Sequence, residues 1–134
     1  MSNQKTIIFT EKRRARRVLT PTGATTLIKK ESGTLDVFQL KDLSMAGMLF
    51  SDNRKRETYS NNSILNDVYI NVELDDSDTG NKFFIFIGQG KIVRSFVKES
   101  SKSIFYGMEF LNQTPYVKDR VRSLINQITP DACE

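Results

Sequence analysis

The sequence contains no histidine and only one cysteine in 134 residues. Without histidine it cannot build a Ser-His-Asp or Cys-His apparatus, an imidazole general base or a zinc site with a histidine ligand. The lone Cys133 also excludes a cysteine-rich metal site and an internal disulfide. The sequence therefore predicts binding rather than catalysis, with no metal and no other cofactor.

Long apolar segments are also missing. No apolar run approaches the ~20 residues that span a bilayer. The first ten residues lack the apolar core and small-residue cleavage site of a secretory signal. Because a single terminal cysteine suits a reducing compartment, we expect a cytoplasmic protein without membrane insertion. The chain is 38% hydrophobic and 27% charged, which is typical of one soluble globular domain.

Positive charge is concentrated at one end of the chain. Residues 1–30 carry eight basic side chains and one acidic side chain, a net charge of +7. The remaining 104 residues carry 12 basic and 15 acidic side chains, a net charge of −3. Proteins that bind a long polyanion more often spread basic residues along a whole face. The distribution favours a compact anionic ligand, and we expect no DNA binding.

Most of the chain has the pattern of β-strands. Apolar and polar residues alternate strictly from Val68 to Asp75, which is typical of a half-buried strand. Runs of β-branched, aromatic and apolar residues predict further strands within 20–30, 34–40, 48–50, 82–87, 91–97 and 103–111. We expect Gly88-Gln89-Gly90 to separate two of these strands. Residues 52–66, which are rich in Asn, Ser and charge, are predicted to be a loop.

The last element has a helical period. Val117, Val121, Leu124 and Ile128 form one apolar stripe, with Pro115 before them and a second proline after them. A helix over 117–128 follows about six short strands. The fold class is therefore all-β with a terminal helix, most simply a small barrel capped by that helix.

The strongest local motif is an arginine cluster between residues 12 and 18. Within it, Arg13 and Arg17 have R-x-x-x-R spacing. Arginine presents a planar, permanently charged fork that pairs with phosphate oxygens and with the O6/N7 edge of guanine. The alternatives are a solvated basic tail and a non-specific nucleic-acid patch.

A second motif, D-x-S-x-x-G, runs from Asp42 through Ser44 to Gly47. In an extended chain, Asp42 and Ser44 lie on one side. A carboxylate can accept two hydrogen bonds from the N1–H and N2–H₂ edge of guanine, and a glycine allows a ligand to approach the backbone. The alternative is an ordinary Asx or Ser turn between two strands.

Together the two motifs resemble the PilZ domain, a bacterial family of cyclic di-GMP receptors. The segments Gly90–Arg94 and Tyr106–Phe110 are similar to two further strands of that family, G-x-V-V-R and Y-G-x-x-F. The resemblance covers residues 11–128 and implies a six-stranded antiparallel (split) β-barrel of PilZ type with a C-terminal α-helix. It divides the chain into a flexible segment 1–10, an Arg-rich ligand loop 11–18, the helix 117–128 and a short tail 129–134, as in a stand-alone member.

The resemblance also implies roles for individual residues. Arg13 and Arg17 would contact phosphates and guanine edges, while Asp42, Ser44 and Gly47 would receive a guanine base. Lys12 and Arg16 have the same spacing as Arg13 and Arg17. Additional candidates for ligand contact are Lys12, Arg14, Arg16 and Arg94. For Arg94 the alternative is a solvent-facing position on the barrel, where charged strand residues usually lie.

The expected function is that of a receptor or adaptor, not an enzyme. Cyclic di-GMP would order the Arg-rich loop and change the surface offered to an unidentified partner protein in motility, biofilm formation, secretion or virulence. One ligand or an intercalated pair of ligands is compatible with the arginine content. The alternative is a ligand-independent PilZ-fold interaction module.

Overall fold

The computed structural model describes residues 17–53, 58–74 and 82–128. The described residues form seven strands and a C-terminal helix: β1 (Val18–Leu19), β2 (Thr25–Lys29), β3 (Leu35–Leu43), β4 (Gly47–Asp52), β5 (Ile64–Glu73), β6 (Lys82–Lys98), β7 (Ser103–Leu111) and α1 (Pro115–Ile128). The predicted flexible segment 1–10, most of the Arg-rich loop and the tail 129–134 lie outside these residues.

Six antiparallel strands close into a barrel in the order β3-β2-β5-β6-β7-β4, and pairing of β4 with β3 completes the circle. The short β1 pairs with the end of β3 that β2 leaves unpaired, placing Val18 opposite Leu43 and Leu19 opposite Asp42. The predicted six-stranded barrel with a terminal helix is confirmed, and β1 is an additional strand. Because each of the six strands pairs with a neighbour on both sides, none of them is an edge strand.

The prediction that Gly88-Gln89-Gly90 separates two strands was wrong. Instead, β6 continues for 17 residues and pairs first with β5 and then with β7. Gly88 has a φ of 95° at a register shift opposite Val68, so the strand bends at a bulge without ending. A Cβ at Gly90 would collide with the sulfur of Met108, a core residue that needs this space.

The loop predicted over residues 52–66 is shorter in the structure, because β5 already begins at Ile64. Tyr59 packs against the core, with its ring centroid 5.8 Å from that of Phe38 and 5.7 Å from that of Tyr106. The Tyr106 hydroxyl accepts a hydrogen bond from the Thr58 backbone N–H at 2.9 Å. The described part of the loop is therefore fastened to the barrel.

The helix α1 begins at Pro115, two residues before the predicted start. The Thr114 hydroxyl caps it by accepting the Val117 N–H at 3.2 Å. Val121, Leu124 and Ile125 are buried, and the helix packs against β6 and β1. Across residues 17–53, 58–74 and 82–128, no helical segment has the length and apolar character that a bilayer crossing requires.

Candidate ligand-binding site

One row of residues crosses the outside of the barrel over five strands. Leu19 pairs with Asp42, Asp42 with Leu49, Leu49 with Gly107, and Gly107 with Arg94. We call these five residues the Asp42 row. It joins the D-x-S-x-x-G motif to the two strand motifs found later in the sequence.

Two β-bulges put the charged members of this row on the outer face. Leu40 and Ile92 are buried in the core, so strict alternation would direct Asp42 and Arg94 inward as well. A register shift follows each of the two core residues, one between Leu40 and Asp42 and the other between Ile92 and Arg94. Each shift reverses the alternation and turns the charged side chain outward.

The Asp42 side chain is covered although it lies outside the barrel. It is only 13% exposed, and its Oδ2 lies 3.9 Å from a terminal nitrogen of Arg17, which is 63% exposed. Burial raises the pKa of Asp42, while the positive charges of Arg17 and Arg94 act in the opposite direction and do not cancel it. The site therefore holds a partly dehydrated carboxylate that gains stability when donors reach it.

Arg94 lies across the backbone of the neighbouring strand. A Cβ placed on Gly107 would be 3.0 Å from Nε and 3.1 Å from Cγ of Arg94. Its guanidinium carbon lies 5.4 Å from the ring centroid of Phe96, and that ring stacks on Phe105 at 5.3 Å. Arg94 is thus exposed, and its positive charge also acts on the carboxyl group of Asp42.

Ser44 and Gly47 build the turn between β3 and β4. The Ser44 hydroxyl oxygen accepts the N–H groups of Ala46 and Gly47, both at 3.2 Å, and the Ser44 N–H donates to the Gly47 carbonyl at 2.9 Å. A Cβ at Gly47 would collide with the backbone carbonyl of Met108. Ser44 therefore holds the turn that follows Asp42, and Gly47 allows β4 to lie close against β7.

Comparison with known proteins adds the family context. No family model and no curated protein matches the sequence. Solved structures do match. YcgR from Escherichia coli in complex with c-di-GMP aligns with a TM-score of 0.67 at 18% identity, over 90% of this chain and 47% of that chain. The PilZ domain of YcgR with c-di-GMP aligns with a TM-score of 0.60 at 18% identity, over 90% and 93%. The chain has the PilZ-domain fold.

A third structure, the K. pneumonia MrkH–c-di-GMP complex, has the same PilZ fold and aligns with a TM-score of 0.64 at 16% identity. The alignment includes 91% of this chain and 53% of the MrkH chain. The chain thus spans about half the length of YcgR and MrkH and nearly all of the isolated PilZ domain.

Within the PilZ fold, the structure brings together Arg17, Asp42 and Arg94, while Ser44 and Gly47 shape the adjoining turn. Four of the predicted candidates lie outside the described residues: Lys12, Arg13, Arg14 and Arg16. In the described ranges, no group of three or more Cys, His, Asp or Glu side chains is arranged to hold a metal ion.

Sequence reasoning did not assign a site role to Leu49, Gly107 or Phe96. Gly107 stands in the Y-G-x-x-F segment that carries the family resemblance, yet its proximity to Asp42 depends on the registers of β4 and β7. A single sequence carries no direct signal for those registers.

Proposed function

We propose that this protein is a receptor for cyclic di-GMP and that the Asp42 row forms the floor of its binding site. The observation that carries the proposal is the covered carboxylate of Asp42 between the positive charges of Arg17 and Arg94. A ligand that suits this arrangement presents hydrogen-bond donors to the carboxylate and negative charge to the arginines. Cyclic di-GMP has both, in its guanine bases and its two phosphates.

Asp42 gives the site its preference for guanine. Its carboxylate accepts the N1–H and N2–H₂ donors of a guanine, whereas adenine carries an acceptor at N1 and lacks the N2 amino group. Donors that satisfy a dehydrated carboxylate add free energy of binding because the free protein leaves that group poorly solvated.

The arginines hold the phosphates. Arg17 directly precedes β1 and lies beside Asp42, and Arg94 approaches over Gly107 from the other side. Arg13 completes the R-x-x-x-R pair, and the loop 11–18 becomes ordered over the ligand as its positive charge is neutralised. Lys12, Arg14 and Arg16 supply further positive charge for one ligand or an intercalated pair.

The proposed output is a change of surface rather than a reaction. An ordered loop beside β1 offers a new face to a downstream protein, and no catalytic step is part of the proposal. The solved structures of YcgR, its PilZ domain and MrkH with c-di-GMP have this fold, which supports the choice of ligand. We also propose a cytoplasmic location, on the evidence of the lone cysteine.

One observation favours a second candidate, a ligand-independent interaction module. The hydroxyl of Ser44 is bonded within the turn, and Gly47 is required by strand packing. Two of the three motif residues thus have structural roles that need no ligand. The presence of D-x-S-x-x-G therefore supports ligand binding chiefly through Asp42.

Isothermal titration calorimetry with cyclic di-GMP, and with GTP as the control, tests the proposal. We expect saturable binding with a Kd of about 1 µM or tighter for cyclic di-GMP and none for GTP. Arg17→Ala and Arg94→Ala should each weaken binding by about 10- to 100-fold, because each removes charge-assisted hydrogen bonds.

The matched control is Lys82→Ala, which removes one positive charge twelve residues before Arg94 on the same strand. It should bind like the wild type. Absence of heat with the wild type would favour the interaction module, and wild-type affinity in both arginine variants would move the ligand away from the Asp42 row.

A further inference from the structure

A second row crosses the outer face of the barrel on strands β3, β2, β5 and β6. Val37 pairs with Leu27, Leu27 with Tyr69, and Tyr69 with Phe86. All four alternate with buried residues and therefore face outward. The row is apolar along its whole length, unlike the Asp42 row.

Two neighbours widen this row into a patch. Leu35 lies two residues before Val37 on β3, and Phe84 lies two residues before Phe86 on β6. We call the six residues the apolar stripe: Leu27, Leu35, Val37, Tyr69, Phe84 and Phe86. Four of them are strongly exposed, namely Leu35 (49%), Val37 (55%), Phe84 (56%) and Phe86 (48%).

The stripe is large enough to form the centre of an interface. Its side chains expose on the order of 400 Å² of apolar surface, which is within the range of the largest patch on a typical monomer. A standard interface buries about 800 Å² on each partner, of which roughly 60% is apolar. The stripe supplies most of that apolar share.

The aromatic half of the stripe is already ordered. The Tyr69 ring stacks on Phe84 with centroids 5.4 Å apart and an interplanar angle of 18°. The centroid of the Phe86 ring lies 5.0 Å from that of Tyr69. Rings that hold one another in place lose little side-chain entropy when a partner covers them. This favours binding of a surface that fits them without rearrangement.

We propose that the apolar stripe binds the same stripe of a second copy of this chain, forming a two-fold symmetric dimer. The two ends of the stripe differ, because β2 and β3 contribute aliphatic side chains and β5 and β6 contribute aromatic ones. A two-fold axis parallel to the strands, between β2 and β5, places each aliphatic end on the partner's aromatic end. Leu27 then meets the partner's Tyr69, and Val37 meets the partner's Phe86.

Charge at the margin of the stripe fits the same axis. Lys29 lies two residues beyond Leu27 on β2, and Asp67 lies two residues before Tyr69 on β5. Because β2 and β5 are antiparallel, both charges lie on the same side of the paired residues Leu27 and Tyr69, the side on which Lys29 pairs with Leu35. The axis brings Lys29 opposite the partner's Asp67, and the same contact occurs twice in the dimer.

The dimer leaves the Asp42 row uncovered. That row lies on β1, β3, β4, β7 and the second half of β6, while the stripe uses β2, β5, the first half of β3 and the first half of β6. Dimerisation is therefore testable without ligand, and its outcome is independent of the proposed binding of cyclic di-GMP.

Sedimentation equilibrium of the full chain, from about 1 µM to about 500 µM, measures the association. We expect the mass to rise from the monomer value of 15.3 kDa towards twice that value. Phe86→Ser should shift the midpoint at least tenfold to higher concentration, and the matched control Val97→Ser, at another exposed position on β6, should not. A constant monomer mass, or equal association of Phe86→Ser and wild type, would overturn the proposal.

A charge exchange tests the symmetry directly. Lys29→Glu and Asp67→Lys should each dimerise less than the wild type, because each sets like charges opposite one another. An equal mixture of the two variants should regain the association, since each contact then joins opposite charges across the interface. Pairing of Lys29 and Asp67 within one chain cannot produce this recovery. A mixture no more associated than its components would refute the proposed axis.

Discussion

At the scale of single residues, Asp42 carries a carboxylate that the folded protein solvates poorly. Its folded-state pKa is raised above the unfolded value, so the ionised form is disfavoured by folding at neutral pH. We predict that Asp42→Asn leaves the free energy of unfolding unchanged or raises it, measured by urea denaturation at pH 7. The same variant should bind cyclic di-GMP at least about tenfold more weakly. The neutral amide of Asn has a single acceptor oxygen, whereas the charged carboxylate of Asp can accept both guanine donors.

The same raised pKa gives a pH dependence. The stability penalty from Asp42 is present above the raised pKa and disappears as the pH falls through it towards the unfolded value. Ligand binding needs the ionised carboxylate, so affinity should fall as the pH drops through the same raised pKa. Titrations at a series of pH values from 7 downwards, within the range in which the protein stays folded, should show this fall in the wild type and not in Asp42→Asn. An equal fall in both proteins would contradict the role given to Asp42.

Gly107 is the other residue whose role follows from a distance. A methyl group there would press on Nε and Cγ of Arg94, which can move because it is a flexible side chain. We predict that Gly107→Ala changes the free energy of unfolding by less than about 1 kcal/mol. It should weaken ligand binding by about three- to tenfold through displacement of Arg94.

A double-mutant cycle identifies the cause of that loss. If Gly107 acts through Arg94, the double variant Arg94→Ala/Gly107→Ala should bind no more weakly than Arg94→Ala alone. Additive losses would mean that Gly107 contributes to the site in another way.

At the scale of elements, the turn from Ser44 to Gly47 fixes the separation of β3, β4 and β7. We predict that Gly47→Ala lowers the free energy of unfolding by about 3 kcal/mol, because the backbone of Met108 cannot move aside easily. Gly33→Ala is the control: φ there is 96°, but nothing lies within 4 Å of a Cβ, so its loss should be about 1 kcal/mol. Equal losses in thermal or urea unfolding would contradict the packing role.

The elements also show which parts of the structure a single sequence can predict. Alternation from Val68 onward predicted the second half of β5, and the helical period of apolar residues from Val117 to Ile128 predicted most of α1. The bulges after Leu40 and Ile92 were not predicted, because an extra residue leaves local composition unchanged and alters only the pairing partner. Those two bulges place Asp42 and Arg94 on one face. The motifs therefore name candidate residues, and the strand registers determine how these residues are arranged.

At the scale of the whole molecule, an aromatic cluster joins the segment before β5 to the core of the barrel. Tyr106 is fully buried, and its hydroxyl accepts the N–H groups of Thr58 at 2.9 Å and Tyr59 at 3.4 Å. We predict that Tyr106→Phe lowers the free energy of unfolding by about 1–2 kcal/mol, because these donors lose their acceptor. Tyr116→Phe, at an exposed tyrosine on α1, should cost less than about 0.5 kcal/mol. If both variants lowered the free energy of unfolding by a similarly small amount, the stabilising role given to the hydrogen bonds of the Tyr106 hydroxyl would be contradicted.

Length, composition and motif order together predicted the barrel and its terminal helix, since closure is the common solution for about six short strands. The packing of Tyr59 against the core was not predicted. Its neighbours are polar, so the segment has the composition of an exposed loop although one aromatic side chain packs against Phe38 and Tyr106. The contact between Tyr59 and Tyr106 joins residues 47 positions apart, and local sequence patterns carry no signal for a contact at that separation.

The most direct test of the central claim is amide chemical-shift mapping by NMR during titration with cyclic di-GMP. The account predicts saturable shifts at the Asp42 row (Leu19, Asp42, Leu49, Arg94 and Gly107), with Leu27 and Tyr69 on the apolar stripe unaffected. GTP at the same concentration should leave the row unchanged. Saturable shifts confined to other strands, or no shifts at all, would contradict the assignment of this row as the binding site.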